Sequence, residues 1–427
     1  MSRRLSFFEH FFSLINYDYC HKQLCILGIK IKIPMDVKKH LRDRKYFHNM
    51  PIQNNKIVFR TFNGAYNCNP KYIAEEILKQ NLPYDLVWIV NKNILKFIWN
   101  FPRNIRLVMA GTEDELKEFA TAKIWIDNER RNYLVKKGLF KRDEQVYIQT
   151  FHGSLGIKRT GIERNNPNSN ALKVCMIDSE HIDYLISNGS YTSNFFKNMF
   201  WGNGKILEFG HPRNDIFYKN AKLIKDKVFS SLNIDKNKKI IMYAPTLRED
   251  KDMSPYSLDY EKIINAACKK FGSDFVMVTR LHPLMLAYKN RFYSDNKKVI
   301  DATEYSDMQE LLTAADILIT DYSSCIYDYM LQYKPGFIFA TDVEKYENNR
   351  GLYYPLSTTP FPVAKNNNEL IKAIENFDYE KYKKEVKTFL DGKGCIDDGH
   401  ASERVVELIK EIISVAESKI EKEEVAV

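Results

Sequence analysis

The chain has 427 residues, 44% hydrophobic and 13% aromatic, which excludes a disordered chain and leaves room for two ordinary domains with separate cores. Lys+Arg of 64 against Asp+Glu of 55 gives a formal charge of +9, a balance that suits anionic partners such as nucleotides, phosphates or an acidic membrane surface, or reflects a lysine-rich coding bias. Seven scattered cysteines with no CxxC pair and no Cys/His cluster exclude a disulfide framework and a zinc site, and no run of about 18 apolar residues is present to span a membrane.

The start, MSRRLSFFEHFF, lacks the apolar core and cleavage site of a signal peptide, so a cytoplasmic chain is expected. Residues 1–55 form an extension. RRLSFFEHFFSLI has aromatics at helical spacing behind basic residues, and HKQLCILGIKIKIP alternates like a hairpin. With the basic KKHLRDRK segment (38–45), this extension reads either as a surface-docking arm or as a helix and hairpin packed on the body.

From Lys56 a β/α rhythm begins. KIVFRTF, DLVWIV, IRLVMAG, KIWID, QVYIQTF, YLISNG and KILEFG are strand-length apolar runs, with helix-like NPKYIAEEILKQ, TEDELKEFATA and SYTSNFFKNMF between several of them. Strands alternating with helices imply parallel pairing, and near-continuous apolar strands imply burial on both faces. This defines a first Rossmann-like domain over 56–215. After a charged stretch the rhythm restarts with KIIMYAPT, DFVMVTRLHP, KVIDAT, DILITDYS and PGFIFATD, a second such domain over 235–395. A helix in 396–427 ends the chain. The predicted class is α/β, with a ligand cleft between the carboxyl ends of the two sets of strands.

The polar clusters fall at those strand ends. His152-Gly153 follows QVYIQTF; Thr246 and Arg248 follow IIMYAP; Arg280 and His282-Pro283 end VMVTRLHP; Asp321, Ser323 and Ser324 follow DILIT. Crowded small hydroxyls at a helix start suit a phosphate, although they also serve as caps. Arg248 beside Thr246 suits a diphosphate, or lies on the surface. Arg280 and His282 alternate on one strand edge and can face the same side. Lys158 and Arg159 add charge after the His152 loop. His211 and Arg213, in GHPRND, read equally as a site or as a proline-stiffened turn. GxxxxGK[ST], GxGxxG and GxSxG are all absent, which disfavours ATPase, dehydrogenase and serine-hydrolase readings. No close Asp-x-Asp pair resembles the metal–diphosphate motif of metal-dependent nucleotide-sugar transferases either. That favours neutralisation of a diphosphate by cations and helix N-termini, with a divalent metal left open.

Four motifs in order, HG-SLGIK (152–158), YAPTLR (243–248), RLHP (280–283) and TDYSSCIYDYMLQYKPGFIFATDVEKYENNRGLYY (320–354), resemble the CDP-glycerol glycerophosphotransferase family of teichoic-acid and capsule synthesis. The resemblance covers residues 120–410 and implies a GT-B architecture, two Rossmann-like domains facing each other across a cleft. It implies transfer of glycerol phosphate, or a related alditol phosphate, from a CDP-linked donor to a hydroxyl of a glycan or lipid-linked glycan, with release of CMP. No other cofactor and no nucleic-acid partner is implied, and the place of action is the inner face of the membrane. Carried onto this chain, the family's motif histidines fall on His152 and His282, its arginine on Arg248, and its TDYSS residues on Asp321, Ser323 and Ser324. His152 is the expected general base, His282 the second choice. Lys158 departs by one residue from the common HGTPLK spacing. A nucleotide-sugar glycosyltransferase of GT-B fold and a non-catalytic phosphate-binding scaffold are the alternatives.

Overall fold

The computed structural model describes residues 12–16, 21–26, 29–34, 46–129, 139–159, 163–165, 176, 178–199, 202, 204–250, 252–282, 284–285 and 298–425. In the extension, β1 (Phe12–Asn16), β2 (His21–Ile26) and β3 (Ile29–Pro34) form an antiparallel sheet in that order. The helix expected over RRLSFFEHFFSLI is therefore wrong for Phe12–Ile15, which pair with Gln23–Ile26; the start of that stretch and the basic 38–45 segment lie outside the described residues. The β2–β3 hairpin agrees with the alternating pattern.

Valine, isoleucine and aromatic runs build the first large sheet from β4 (Gln53–Arg60), β5 (Asp85–Val90), β6 (Ile105–Met109), β7 (Ala122–Asp127), β8 (Val146–Gln149), β9 (Tyr184–Ser187) and β10 (Lys205–Glu208). All seven pair in parallel, in the order β10-β9-β8-β7-β4-β5-β6. Ile57, Val58 and Phe59 are consecutive and all fully buried, so both faces are covered, as parallel strands require. The second sheet holds β11 (Lys239–Ala244), β12 (Phe275–Thr279), β13 (Val299–Asp301), β14 (Ile317–Thr320), β15 (Gly336–Phe339) and β16 (Val363–Ala364), in the parallel order β13-β12-β11-β14-β15-β16. Both are doubly wound, and the strand order reverses between β4 and β7 in one and between β11 and β14 in the other. Ligands of such sheets bind beyond the carboxyl ends of the strands at those reversals.

Local chemistry sets the helix ends. Thr112 Oγ1 accepts from Glu115 N at 3.3 Å, and Glu113, Asp114 and Glu115 place negative charge at the start of Glu113–Thr121. Asp259 caps Tyr260–Phe271, which stops at Gly272 in the left-handed region at φ 61°. The charged stretch between the domains contains a helix, Ala221–Ser231, capped by Asn220.

The chain crosses between the domains more than once. The final helix, Ala401–Val425, returns to the first sheet, where Val405, Val406, Ile409 and Ile413 join Ile57, Ile73 and Ile124 in one core. No described helix is long and apolar enough to cross a membrane. Behind the cleft, Lys71 Nζ contacts Asp307 Oδ2 at 2.5 Å and Glu310 Oε1 at 2.8 Å, while Tyr72 OH donates to Asp307 Oδ2 at 2.8 Å. These partners lie on opposite domains. Arg213 Nε meets Asp328 Oδ2 at 2.9 Å across the same seam.

Candidate active site

QTFHGSLGIK leaves the first sheet at the end of β8 and crosses to the second domain. Leu155 and Ile157 are buried in the second domain's core, Tyr353 N donates to Ile157 O at 2.8 Å, and Lys158 bridges to Leu352. His152 thus sits where the chain changes domains. The turn is strained, with Phe151 at φ 50°, a conformation that persists only when its surroundings hold it. Asn69 holds it: its Nδ2 donates to both Thr150 O and Phe151 O at 2.9 Å, and its Oδ1 accepts from Arg213 N at 3.1 Å.

His152 Nδ1 lies 2.7 Å from Asn128 O. A carbonyl only accepts, so Nδ1 carries the hydrogen and Nε2 keeps its lone pair. The residue is exposed to water, yet the protein around the ring partly desolvates it. That desolvation, with the charges of Arg213 and Lys158, outweighs the Asn128 bond and holds its pKa below the ordinary histidine value. His282 has the opposite tautomer. Leu284 N donates to its Nδ1 at 3.3 Å, which leaves Nε2 as the N–H. Burial, Lys158 and His152 lower its pKa too, and Phe62 from the end of β4 packs edge-on against its ring. Pro283 lies outside the described residues.

Two cations in this seam keep free donors. Lys158 Nζ has no hydrogen bond or ion pair among the described residues, and burial first, then Arg350, brings its pKa down to about 8. Arg280 makes one side-chain hydrogen bond there, Nη1 to Tyr305 O at 2.6 Å. Ser323 and Ser324 are half-buried before the short helix Cys325–Tyr329; the Ser323 hydroxyl accepts from Cys325 N at 3.4 Å.

Arg248 is placed differently. Nε and Nη2 grip Asp342 at 2.7 and 2.9 Å, Nη2 also meets Asp321 Oδ2 at 2.9 Å, and Nη1 donates to Thr246 O at 2.7 Å. Tyr256, Tyr322 and Tyr346 surround its guanidinium. Asp321 Oδ1 in turn accepts from Thr246 N and Tyr322 N. Arg248 and Asp321 therefore lock the β11 and β14 ends together, with the Thr246 hydroxyl unpartnered beside them. His211 and Arg213 are both buried. His211 N donates to Asp397 Oδ1 at 2.7 Å, and Arg213 spends its guanidinium on Asp328 and Cys68, so both lie behind the cleft.

Sequence reading missed Asn69, Asn128, Asp328 and Asp342. Asn128 carried a usable signal, a polar residue just past the strand KIWID. Asn69, beside Pro70, looked like helix-start chemistry and nothing more.

The family model for CDP-Glycerol:Poly(glycerophosphate) glycerophosphotransferase matches residues 44–411. The teichoic acid poly(glycerol phosphate) polymerase of Staphylococcus epidermidis is 31% identical over 385 residues, covering 83% of this chain and 50% of that protein. The chain thus spans about half the length of that polymerase. The teichoic acid glycerol-phosphate transferase of Staphylococcus aureus is 30% identical over 371 residues, 83% of this chain and 92% of that one. Among solved structures, a histidine variant of the wall teichoic acid polymerase TagF soaked with CDPG matches with a TM-score of 0.75 at 28% identity, covering 89% of this chain and 95% of that one. The shared architecture is GT-B, and the chain belongs to the CDP-Glycerol:Poly(glycerophosphate) glycerophosphotransferase family.

Proposed function

We propose that this chain transfers glycerol phosphate from CDP-glycerol to a hydroxyl of a teichoic-acid-like or capsular glycan, releasing CMP. The observation that carries this reading is the pair of oppositely protonated histidines beside two cations with free donors. His152 Nε2 takes the proton of the acceptor hydroxyl. The acceptor oxygen forms its bond to the phosphorus bearing glycerol, the bond from that phosphorus to the CMP phosphate breaks, and the electron pair leaves on CMP. Little covalent chemistry falls to the protein, so charge stabilisation dominates. Lys158, Arg280 and the Nε2–H of His282 are suited to hold the diphosphate, with Ser323, Ser324 and the Thr246 hydroxyl as further donors. Arg248 and Asp321 are assigned to positioning the loops that carry those groups, because their own donors and acceptors are already engaged.

The acceptor is read as a glycan or lipid-linked glycan at the inner face of the membrane. Leu95, Ile98 and Trp99 are exposed on the short helix Lys92–Asn100, with Lys92 and Arg103 exposed nearby; this supports an anionic, apolar surface as a neighbour. A donor screen tests the proposal. CDP-glycerol, CDP-ribitol and UDP-sugars are each incubated with glycan acceptor, and the nucleotide product is identified. CMP from a CDP-alditol is expected; a nucleoside diphosphate from a UDP-sugar would replace this reading with glycosyl transfer.

A further inference from the structure

Three neighbouring strands of the first sheet end on one residue that no motif contains. Asn128 follows β7 and is buried. Its Oδ1 accepts from Phe62 N, at the end of β4, at 3.0 Å. Its carbonyl accepts from His152 Nδ1 at 2.7 Å. The preceding residue, Asp127, accepts at its carbonyl from Thr150 N at 2.8 Å and so fixes the end of β8. The two Asn128 bonds run in opposite directions, one to each neighbouring strand end. The carbonyl belongs to the 128–129 peptide and the amide hangs on the same Cα, so the Phe62 bond pins the Cα from which that carbonyl reaches His152. Phe62 is the residue whose ring packs against His282.

We infer that Asn128 is a positioning residue that fixes His152 in its Nδ1–H tautomer and ties that choice to the Phe62–His282 wall. Any residue at 128 offers a carbonyl; the amide side chain sets where that carbonyl points. The inference rests on His152 being the base. An imidazole locked with Nδ1–H presents only Nε2 to the acceptor hydroxyl, whereas a free ring divides between two tautomers, one of which cannot act. The charged and titratable groups around His152 are Lys158 on its own loop, Arg213 from the 212–218 turn and His282 from beyond β12, with Glu129 next to Asn128.

Two variants test this in the full chain. Two-bond proton–nitrogen spectra of protein labelled at its nine histidines, with His152 assigned by its loss in His152→Ala, report the tautomer directly. Wild type shows Nδ1–H at His152. Asn128→Ala should show a mixture and a kcat lower by about ten-fold, the worth of one neutral hydrogen bond, with KM for CDP-glycerol within about two-fold. Asn128→Asp keeps the acceptor for Phe62 N and should keep the tautomer, while its charge moves the acid limb of kcat/KM up by about one pH unit. A folded Asn128→Ala protein with an unchanged tautomer or unchanged kcat overturns the inference. Should that variant not fold, an unmoved acid limb in Asn128→Asp overturns it. Normal turnover by His152→Ala would instead sink the base assignment and leave the tautomer result standing.

Discussion

Lys158→Met should make the protein more stable and less active at once. The lysine's pKa falls from the ordinary 10.5 to about 8, chiefly through burial. At about 1.4 kcal/mol per pH unit, keeping it charged at pH 7 costs the fold about 3 kcal/mol, an upper value given its partial access to water. The sign is set by proton binding. Between pH 8 and 10.5 the unfolded chain still holds a proton that the folded chain has released, so wild-type stability rises with pH across that window. Methionine removes the cost. Urea unfolding should show the variant ahead of wild type by up to about 3 kcal/mol at pH 7, the gap closing by pH 10.5. In the proposed reaction the same ammonium meets the donor's diphosphate. A charged hydrogen bond is worth about 1.5–3 kcal/mol, so KM for CDP-glycerol should rise roughly 10- to 150-fold in the variant. Wild-type binding should weaken above pH 8 as the lysine discharges, and Lys158→Arg should abolish that limb. A Lys158→Met protein less stable than wild type at pH 7, or a limb near 8 that survives in Lys158→Arg, would show that Lys158 is not the strained, diphosphate-facing cation.

Arg248→Met leaves Asp321 and Asp342 without their cation and should cost about 3–5 kcal/mol in unfolding assays, whereas Arg280→Met should keep stability within about 1 kcal/mol and raise KM for CDP-glycerol by about ten-fold or more. In wild type, kcat/KM should climb with pH through a limb below the ordinary histidine value near 6.5, because burial and two cations favour neutral His152; a pH–rate profile checks this. Lys71→Met leaves buried Asp307 without its cation in the interdomain seam, while Glu310 keeps Lys227, and should lower stability by about 3–5 kcal/mol, measured by denaturant unfolding.

The sheets were legible because parallel strands buried on both faces read as unbroken apolar runs, as KIIMYA and DLVWIV do. Phe12–Asn16 misled because five residues of FSLIN fit either period. The helix Ala221–Ser231 hid inside a charged stretch because Val228 and Phe229 are its only fully buried residues. At the candidate site, the strand-end positions of His152, Lys158, Arg280 and His282 were legible in the sequence. What engages each cation was not. Asp342 lies 94 residues from Arg248, and Asp328 lies 115 from Arg213; only the packed fold distinguishes a cation already paired from one left open. The crossing of the His152 loop onto the second domain was equally hidden, since Leu155 and Ile157 suit any core.

In the proposed reaction His152 accepts the acceptor's proton as glycerol phosphate passes to the glycan. The most direct test is CMP release, with glycerol phosphate added to the acceptor counted in parallel, at saturating CDP-glycerol in wild type and in folded His152→Ala. One CMP per unit added is expected in wild type, with turnover lower by about 10²–10⁴-fold in the variant. Equal turnover in the two proteins would rule out His152 as the base.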